Sequence, residues 1–308
     1  MRNPYRIAVV TTSYPSTEHD WVGHFVRQEA LELVASGCDV TVMTTRLAFC
    51  DAGVRAIDLG DEWLSPFGPP GAAARIRAFP PRALGVATWA ARVSSALRRE
   101  RWDRVVAHWA IPSALAAIGV PAPLDVVSHG SDVRLLLALP AIARRALVRS
   151  IASRARTWRF VSDALRELLV ASLDRATAER VRAIASVQPP PIAIPDVSGR
   201  AARLRAELGA FHVSLGRLVA SKRVDRAIDR AAARGETLVV VGDGPERASL
   251  ERRAARARAD VRFLGDLPRD EALAYLAAAR SLLFASEAEG CSTVVREARA
   301  LGAHVDVL

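Results

Sequence analysis

The sequence has few of the residues that mark several protein classes. Of its 308 residues, three are Cys and 6% are aromatic. Cys38, Cys50 and Cys291 are far apart and form no CxxC pair, which argues against a disulfide scaffold or a zinc site. No apolar run approaches the roughly 18 residues of a spanning helix, and an apolar, strand-like run already begins at Ile7. We therefore expect a cytoplasmic protein without an export signal.

Several catalytic motifs are also missing. The chain contains no Asp-x-Asp, no HExxH, no GxxxxGK[ST] and no GxSxG. The sequence therefore lacks the motifs that are typical of metal-dependent sugar transferases, zinc hydrolases and nucleotide hydrolases. We expect neither a bound metal nor a cofactor.

Lysine is almost absent. The chain has 43 basic residues and a formal charge of +10, yet Lys222 is its only Lys and Asn3 its only Asn. This abundance of Arg is typical of a GC-rich genome, so the net charge says little about partners. The Arg-rich stretches lack the interleaved aromatic residues on which a single-strand binder stacks bases, and we expect no nucleic-acid partner.

One segment, 75–104, concentrates eight Arg against Glu100 and Asp103. A solvated helix face is the favoured interpretation. The alternative is a basic patch that makes peripheral contact with the inner face of the membrane.

Short β-branched runs alternate with segments of helical period, a pattern typical of parallel α/β layers. Strands are expected at 6–12, 39–45, 104–107, 125–128 and 158–161, and then at 212–215, 237–241, 261–264 and 282–285, with 47–72 read as an irregular excursion. Between the two series, the segment 187–195 holds four Pro in nine residues, which stiffen it and remove ladder hydrogen bonds. We predict two Rossmann-like domains, 1–188 and 189–308, with a ligand between them at the carboxyl ends of both sheets.

Three loops of the second domain carry candidate site residues. Arg217 and Lys222 lie at the start of a helix, where two cations would bind a diphosphate. The alternative is a pair of surface cations. Gly242 and Gly244 permit close backbone approach, but Arg247 stands where a dinucleotide motif needs a third Gly, and a plain tight turn explains them equally well.

Glu289 and Glu297 are eight residues apart, a little over two helical turns, and would share a face. There they would accept hydrogen bonds from vicinal hydroxyls of a sugar and of a ribose. Helix capping for Glu289 and a salt bridge for Glu297 are the alternatives.

Two loops of the first domain add candidates. His129 follows the strand at 125–128, at the tip where an α/β cleft is lined. Gly23 precedes a helix, where missing side-chain bulk would let a phosphate approach, although turn formation explains it equally well.

Together these residues resemble glycosyltransferase family 4, retaining enzymes of the GT-B architecture. The resemblance rests on pieces in the family's order over nearly the whole chain. They are Gly23, His-Gly-Ser-Asp at 129–132, Phe-Val-Ser-Asp-Ala-Leu-Arg from Phe160, Gly216-Arg217 with Lys222, Gly-Asp-Gly-Pro at 242–245, and Glu289-Gly-Cys-Ser with Glu297.

The resemblance implies a role for each residue. Arg217 and Lys222 would bind the donor's diphosphate, Glu289 the donor sugar and Glu297 the ribose. His129 would lie beside the sugar, and Gly23 near the phosphates and acceptor. It implies α/β GT-B domains whose parallel sheets face each other across a cleft. The expected reaction is retaining, metal-independent transfer from a nucleoside-diphosphate sugar to a glycan, lipid-linked or small hydroxyl acceptor, in polysaccharide biosynthesis.

The chain departs from the family's pattern near its end. After Glu297, His304 replaces an expected Pro, and Asp306 places a carboxylate in a strand expected to be buried on both faces, which is costly without a partner. These departures predict a truncated chain with an incomplete C-terminal domain. The alternative function is therefore an inactive truncated GT-B remnant that at most binds nucleotide.

Overall fold

The computed structural model describes residues 4–18, 20–47, 49–61, 63–68, 71–286 and 291–308. The chain divides into two compact units, Met1–Pro191 and Ile192–Leu308. The division falls inside the Pro-rich segment 187–195.

The first unit is built on a seven-stranded sheet in which every neighbouring pair is parallel. Its strand order is β3-β2-β1-β4-β5-β6-β7. The strands are β1 (Arg6–Val10), β2 (Asp39–Thr44), β3 (Val54–Asp58), β4 (Arg104–His108), β5 (Leu124–Ser128), β6 (Ala155–Phe160) and β7 (Ala185–Val187).

Helices lie in most of the connections between these strands, as is usual for parallel pairing. They are α1 (His24–Ala35), α2 (Ala72–Ala78), α3 (Arg82–Arg98), α4 (Leu115–Ala117), α5 (Ser131–Ala138), α6 (Ala141–Arg154), α7 (Asp163–Val170) and α8 (Arg175–Ile184). In α3 the residues Gly85, Trp89, Val93 and Leu97 are buried at intervals of four, so the apolar face of this helix is turned into the protein.

The interpretation of 47–72 as wholly irregular was wrong, because β3 lies inside it. Among the strands that the structure describes, β3 pairs with β2 alone, in a register that sets Val54 opposite Val40. Val54 is buried while Arg55 is exposed. This short edge strand includes Arg55 and Asp58 and so has no long apolar run, which makes the sequence signal for it weak.

The second unit is a five-stranded parallel sheet of order β10-β9-β8-β11-β12. Its strands are β8 (His212–Leu215), β9 (Leu238–Val241), β10 (Val261–Gly265), β11 (Ser281–Phe284) and β12 (His304–Val307). Its helices are α9 (Ser198–Leu208), α10 (Val224–Arg234), α11 (Arg247–Arg256), α12 (Arg269–Ala278) and α13 (Thr293–Ala300), with a 3-10 turn at Ala220–Lys222. The predicted pair of Rossmann-like α/β domains is confirmed.

The core of the second unit lies on both faces of its sheet. Leu238 and Val240 pack with residues of α10 and α11. Val239 and Val241 point the other way and pack with residues of α9 and α12. Burial on both faces explains why β9 is an uninterrupted apolar run rather than an alternating one.

Asp306, expected to be costly in β12, has partners. Its Oδ2 atom accepts a 2.8 Å hydrogen bond from the Ser281 hydroxyl, and its Oδ1 atom lies 3.0 Å from Nε2 of His304. Burial alone would raise the pKa of Asp306, but the Ser281 bond and His304 together hold that pKa below its usual value. The carboxylate is therefore accommodated in the strand.

Among the residues that the structure describes, no helix is both long enough and apolar enough to cross a membrane.

Candidate active site

The carboxyl end of β8 carries the two cations predicted to bind a diphosphate. Arg217 is exposed, and Lys222 is half-buried at the end of the 3-10 turn. A Cβ atom built on Gly216 would lie 4.0 Å from Cε of Lys222. The lysine side chain therefore folds back over the end of the strand, towards the edge where ligands of parallel sheets bind.

The loop after β11 approaches the same place. The Ser286 hydroxyl donates a 3.3 Å hydrogen bond to the carbonyl oxygen of Ser221, beside Lys222. Ser286 is the last described residue before Glu289, which lies outside the described residues. The predicted role of Glu289 in holding the donor sugar therefore stays a prediction.

The glycines of the Gly-Asp-Gly-Pro loop have a structural explanation. Gly242 has a φ of 124° and Gly244 a φ of 159°. A Cβ atom on Gly242 would overlap the carbonyl oxygen of Gly216, and one on Gly244 would overlap that of Leu218. Both glycines are thus needed for contact between the β8 and β9 loops, and their predicted contact with a ligand stays a prediction.

Glu297 lies in α13 and is largely buried. Its Oε1 atom accepts a 2.6 Å hydrogen bond from Arg269 at the start of α12, and the two side chains are 7% and 16% exposed. Arg269 also donates to the carbonyl oxygen of Ala193, at 2.8 Å. This arginine was missed in the sequence, where nothing distinguishes it from 41 other Arg. The predicted contact of Glu297 with a ribose is not tested by this geometry.

In the first unit, Gly23 caps α1 with a left-handed φ of 71°. A Cβ atom there would overlap the carbonyl oxygen of Ser13. The close approach of the β1 loop to its own helix is therefore sufficient to require glycine. Contact of Gly23 with a phosphate stays a prediction.

His129 lies among the rings of Phe25, His108 and Trp109. Its ring centroid is 4.6 Å from that of Phe25 at the start of α1 and 4.8 Å from that of Trp109 after β4. Its Nε2 atom is 3.0 Å from Nδ1 of His108, the last residue of β4. The structure thus brings the entrance of α1, next to Gly23, close to His129.

Both histidines are poor bases in this environment. Burial, and next the positive charge of Arg159, lowers the pKa of His108 to about 3. Burial, and next the charge of His108, lowers the pKa of His129 well below its ordinary value. Both imidazoles are therefore neutral at pH 7 and share one hydrogen across the N···N contact.

Asp132 forms hydrogen bonds to the loops that follow β4 and β5, next to these two histidines. Its Oδ2 atom accepts a 2.8 Å bond from the backbone N–H of Ala110, and its Oδ1 atom accepts from those of His129 and Gly130 at 3.2 and 3.0 Å. Burial raises the pKa of Asp132, although these hydrogen bonds act to lower it. The sequence had a signal for this residue, since Asp132 belongs to the quoted His-Gly-Ser-Asp motif, but only His129 was assigned a role.

The structure groups the predicted residues by unit. In the second unit Arg217, Lys222, Gly242 and Gly244 meet at one edge of the sheet. In the first unit Gly23 and His129 lie at the corresponding edge. Within the described ranges, no three His, Cys, Asp or Glu side chains are arranged to hold a metal ion.

Comparisons with known proteins agree with this architecture. Residues 212–305 match the family model described as glycosyl transferases group 1. Over 327 aligned positions the chain is 29% identical to TuaC of Bacillus subtilis (strain 168), covering 96% of this chain and 79% of that protein. The name of TuaC assigns it to teichuronic acid biosynthesis as a glycosyltransferase.

Solved structures share the fold. HepE of Anabaena, crystallised with UDP and glucose, superposes with a TM-score of 0.69 at 18% identity, over 98% of this chain and 80% of its own. WaaG, a glycosyltransferase involved in lipopolysaccharide biosynthesis, gives a TM-score of 0.65 at 18% identity, over 98% of this chain and 80% of its own. The fold is GT-B, and with the group 1 match over the second unit we conclude that the chain is a glycosyltransferase.

Proposed function

We propose that the chain transfers a sugar from a nucleoside-diphosphate sugar to a glycan or lipid-linked acceptor in polysaccharide biosynthesis, with retention of anomeric configuration and without a metal. The observation that carries the proposal is the position of Lys222. It is the only Lys of the chain, and its side chain folds over Gly216 at the carboxyl edge of the second sheet.

Arg217 and Lys222 supply the charge that such a transfer needs. Breaking the bond between the anomeric carbon and the diphosphate leaves negative charge on the departing phosphate oxygens. Fixed cations at that position stabilise the transition state more than the ground state. A guanidinium and an ammonium can do this without a metal ion, and the missing Asp-x-Asp motif supports that part of the proposal.

Retention rests on the family resemblance. In this proposal the acceptor hydroxyl attacks the anomeric carbon from the face that the diphosphate leaves, and the departing phosphate accepts the hydroxyl proton. Glu289 would hold the donor sugar's hydroxyls and Glu297 the ribose hydroxyls, so no residue of the chain is assigned as a nucleophile.

His129 is placed beside the donor sugar in this proposal. Its Nε2 atom is engaged by His108, so Nδ1 is the ring nitrogen left to meet a substrate hydroxyl. Because the ring is neutral, it offers a hydrogen bond without a charge, which suits a polar and uncharged sugar.

The names of the relatives support the donor and acceptor classes. HepE was crystallised with UDP and glucose, while the names of TuaC and WaaG refer to the biosynthesis of teichuronic acid and of lipopolysaccharide. We therefore infer a nucleotide-sugar donor and, for a cytoplasmic protein in such synthesis, peripheral contact with the membrane that carries a lipid-linked acceptor.

The proposal is tested by incubating the protein with UDP-, GDP- and ADP-sugars and simple alkyl glycoside acceptors, with and without EDTA. Proton NMR of the product reports the anomeric configuration. We expect a product with the donor's configuration, formed equally well in EDTA. An inverted product or a strict requirement for metal would contradict the proposed mechanism, and saturable nucleotide binding without turnover of any donor would favour the inactive remnant.

A further inference from the structure

A polar chain of three side chains lies behind His129 in the first unit. Arg159 of β6 forms a short salt bridge with the Oε2 atom of Glu29 in α1. The same carboxylate oxygen is 4.0 Å from Nε2 of His108, and Nδ1 of His108 faces His129. Four elements, α1, β4, β6 and the loop after β5, thus contribute one residue each to this row.

His108 is fully enclosed, with no exposed side-chain surface. Its ring is nearly parallel to that of His129, at an angle of 14° and a centroid distance of 5.2 Å. Within the described part of the chain its Nε2 atom makes no hydrogen bond, so the contact with His129 is the one hydrogen bond of this side chain. Burying an apolar side chain at this position would cost less free energy than burying an imidazole. The histidine therefore indicates that its hydrogen bond to His129 has a function.

The loops on both sides hold this contact in place. Asp132 accepts hydrogen bonds from Ala110 after β4 and from His129 after β5, so the two loops are fixed relative to each other. Trp109, between His108 and Ala110 in the loop after β4, has a φ of 69°, a conformation that a bulky side chain rarely adopts. Backbone strain of this kind persists only where the surroundings enforce it, and it is concentrated at functional sites.

The contact also links the protonation of the two rings. A neutral imidazole carries one hydrogen, and whichever ring donates along the Nδ1···Nε2 axis fixes the other ring as acceptor. The hydrogen on that axis therefore decides whether the opposite nitrogen of His129, Nδ1, presents a hydrogen or a lone pair. The charged groups that bear on the choice are Glu29 and Arg159, with Asp132 beside the loop.

We propose that His108 is a positioning residue for sugar transfer: it holds the His129 ring and fixes its tautomer, so that Nδ1 meets the substrate in one protonation form. This inference rests on the proposed function, in which His129 contacts the donor sugar. His108 itself touches no substrate. The geometry assigns it the part that a buried partner plays behind many catalytic histidines.

Two substitutions separate positioning from packing. His108→Phe keeps a flat ring against His129 but removes the hydrogen bond. His108→Asn loses the ring but keeps an amide near the position of Nδ1, able to bond Nε2 of His129. If His108 positions His129, the Phe variant loses about 10- to 100-fold in the rate of UDP-glucose turnover, measured as UDP release, and the Asn variant recovers most of it. If the residue only fills space, the Phe variant is the more active one.

Nitrogen-15 NMR of histidine side chains supplies a readout that does not depend on activity. In the wild type we expect one tautomer of His129 from pH 6 to 8, and in the Phe variant a mixture of two. A wild-type protein in which His129 populates both tautomers would overturn the inference, even if a variant fails to fold. A His129→Phe variant that still turns over UDP-glucose normally would remove the role of His129 itself, whereas loss in that variant with an unaffected His108→Phe variant would overturn this inference alone.

Discussion

The guanidinium of Arg269 donates a 2.6 Å hydrogen bond to Oε1 of Glu297, joining the first turn of α12 to the middle of α13. Replacing Arg269 by Met would leave a largely buried carboxylate without this cation. Breaking a buried pair by removing one partner costs about 3 to 5 kcal/mol. We expect the Arg269→Met variant to lose about 3 kcal/mol of unfolding free energy, measured by urea denaturation.

The double variant Arg269→Met with Glu297→Leu is the matched control for this effect. It removes the buried charge together with its partner and should recover most of the lost stability. Equal stability of the single variant and the wild type would show that the pair contributes nothing to the second unit.

Asp132 should matter for both stability and activity. An Asn side chain has one acceptor oxygen, so in Asp132→Asn an amide group would face the N–H of Ala110 or those of His129 and Gly130. The loss of these bonds should cost about 1 to 3 kcal/mol and displace the His129 loop. Thermal unfolding and donor turnover measure the two effects. The neighbouring Ser131→Ala, at an exposed position, should change neither, and an Asn variant that matches it would contradict the assigned role.

Asp306 predicts a pH dependence of the second unit. Its pKa in the folded protein lies below the unfolded value of about 3.9, so the ionised carboxylate stabilises the fold above that pH. The contribution is lost as the pH falls through the folded pKa. Asp306→Asn should therefore cost about 1 to 2 kcal/mol at pH 6 and progressively less as the pH falls through the folded pKa. Denaturation in a series from about pH 6 to about pH 2 checks this against Glu207→Gln, an exposed carboxylate with little expected effect; a penalty for Asp306→Asn that stays constant over the whole series would be inconsistent.

The alternative interpretation of the basic segment 75–104, peripheral contact with a membrane, predicts binding to anionic lipid. One face of α3 is buried, so the charge for contact with a membrane would come from exposed arginines such as Arg98, Arg99 and Arg101, beside the exposed Phe79 and Leu84. Replacing each by Gln should weaken binding to phosphatidylglycerol vesicles by about 1 kcal/mol per charge. Arg252→Gln with Arg256→Gln, exposed in α11, is the control. If the triple variant partitions onto vesicles as the wild type does in co-sedimentation, the proposed membrane contact through this segment is wrong.

Much of the fold could be predicted because parallel sheets buried on both faces leave a strong mark in the sequence. The run Leu238–Val241 is uniformly apolar for that reason, and it was located as a strand to within one residue. The edge strand Val54–Asp58 was missed because it is short and carries the charged Arg55 and Asp58 among its five residues. Asp306 is accommodated by the nearby His304 and by Ser281, 25 residues away, and no local pattern reveals the second partner.

Candidate site residues could be proposed from the sequence where a residue type is rare or where a polar residue follows a buried strand. Lys222 stood out in a chain that otherwise uses Arg, and His129 stood out by following a buried strand. His108 and Arg269 act through contacts with residues 21 and 28 positions away. Their importance arises from the folding of separate loops against each other, which a pattern of neighbours cannot show.

The central claim is that Lys222 binds the diphosphate of a nucleotide-sugar donor. Isothermal titration calorimetry of the wild type with UDP-glucose, GDP-mannose and ADP-glucose tests it, beside Lys222→Ala and the exposed-site control Arg203→Ala. We predict saturable binding of at least one donor, weakened about tenfold or more, which is 1.4 kcal/mol or more, in Lys222→Ala and unchanged in Arg203→Ala. Absence of binding to every donor, or equal affinity in the wild type and Lys222→Ala, would contradict the account.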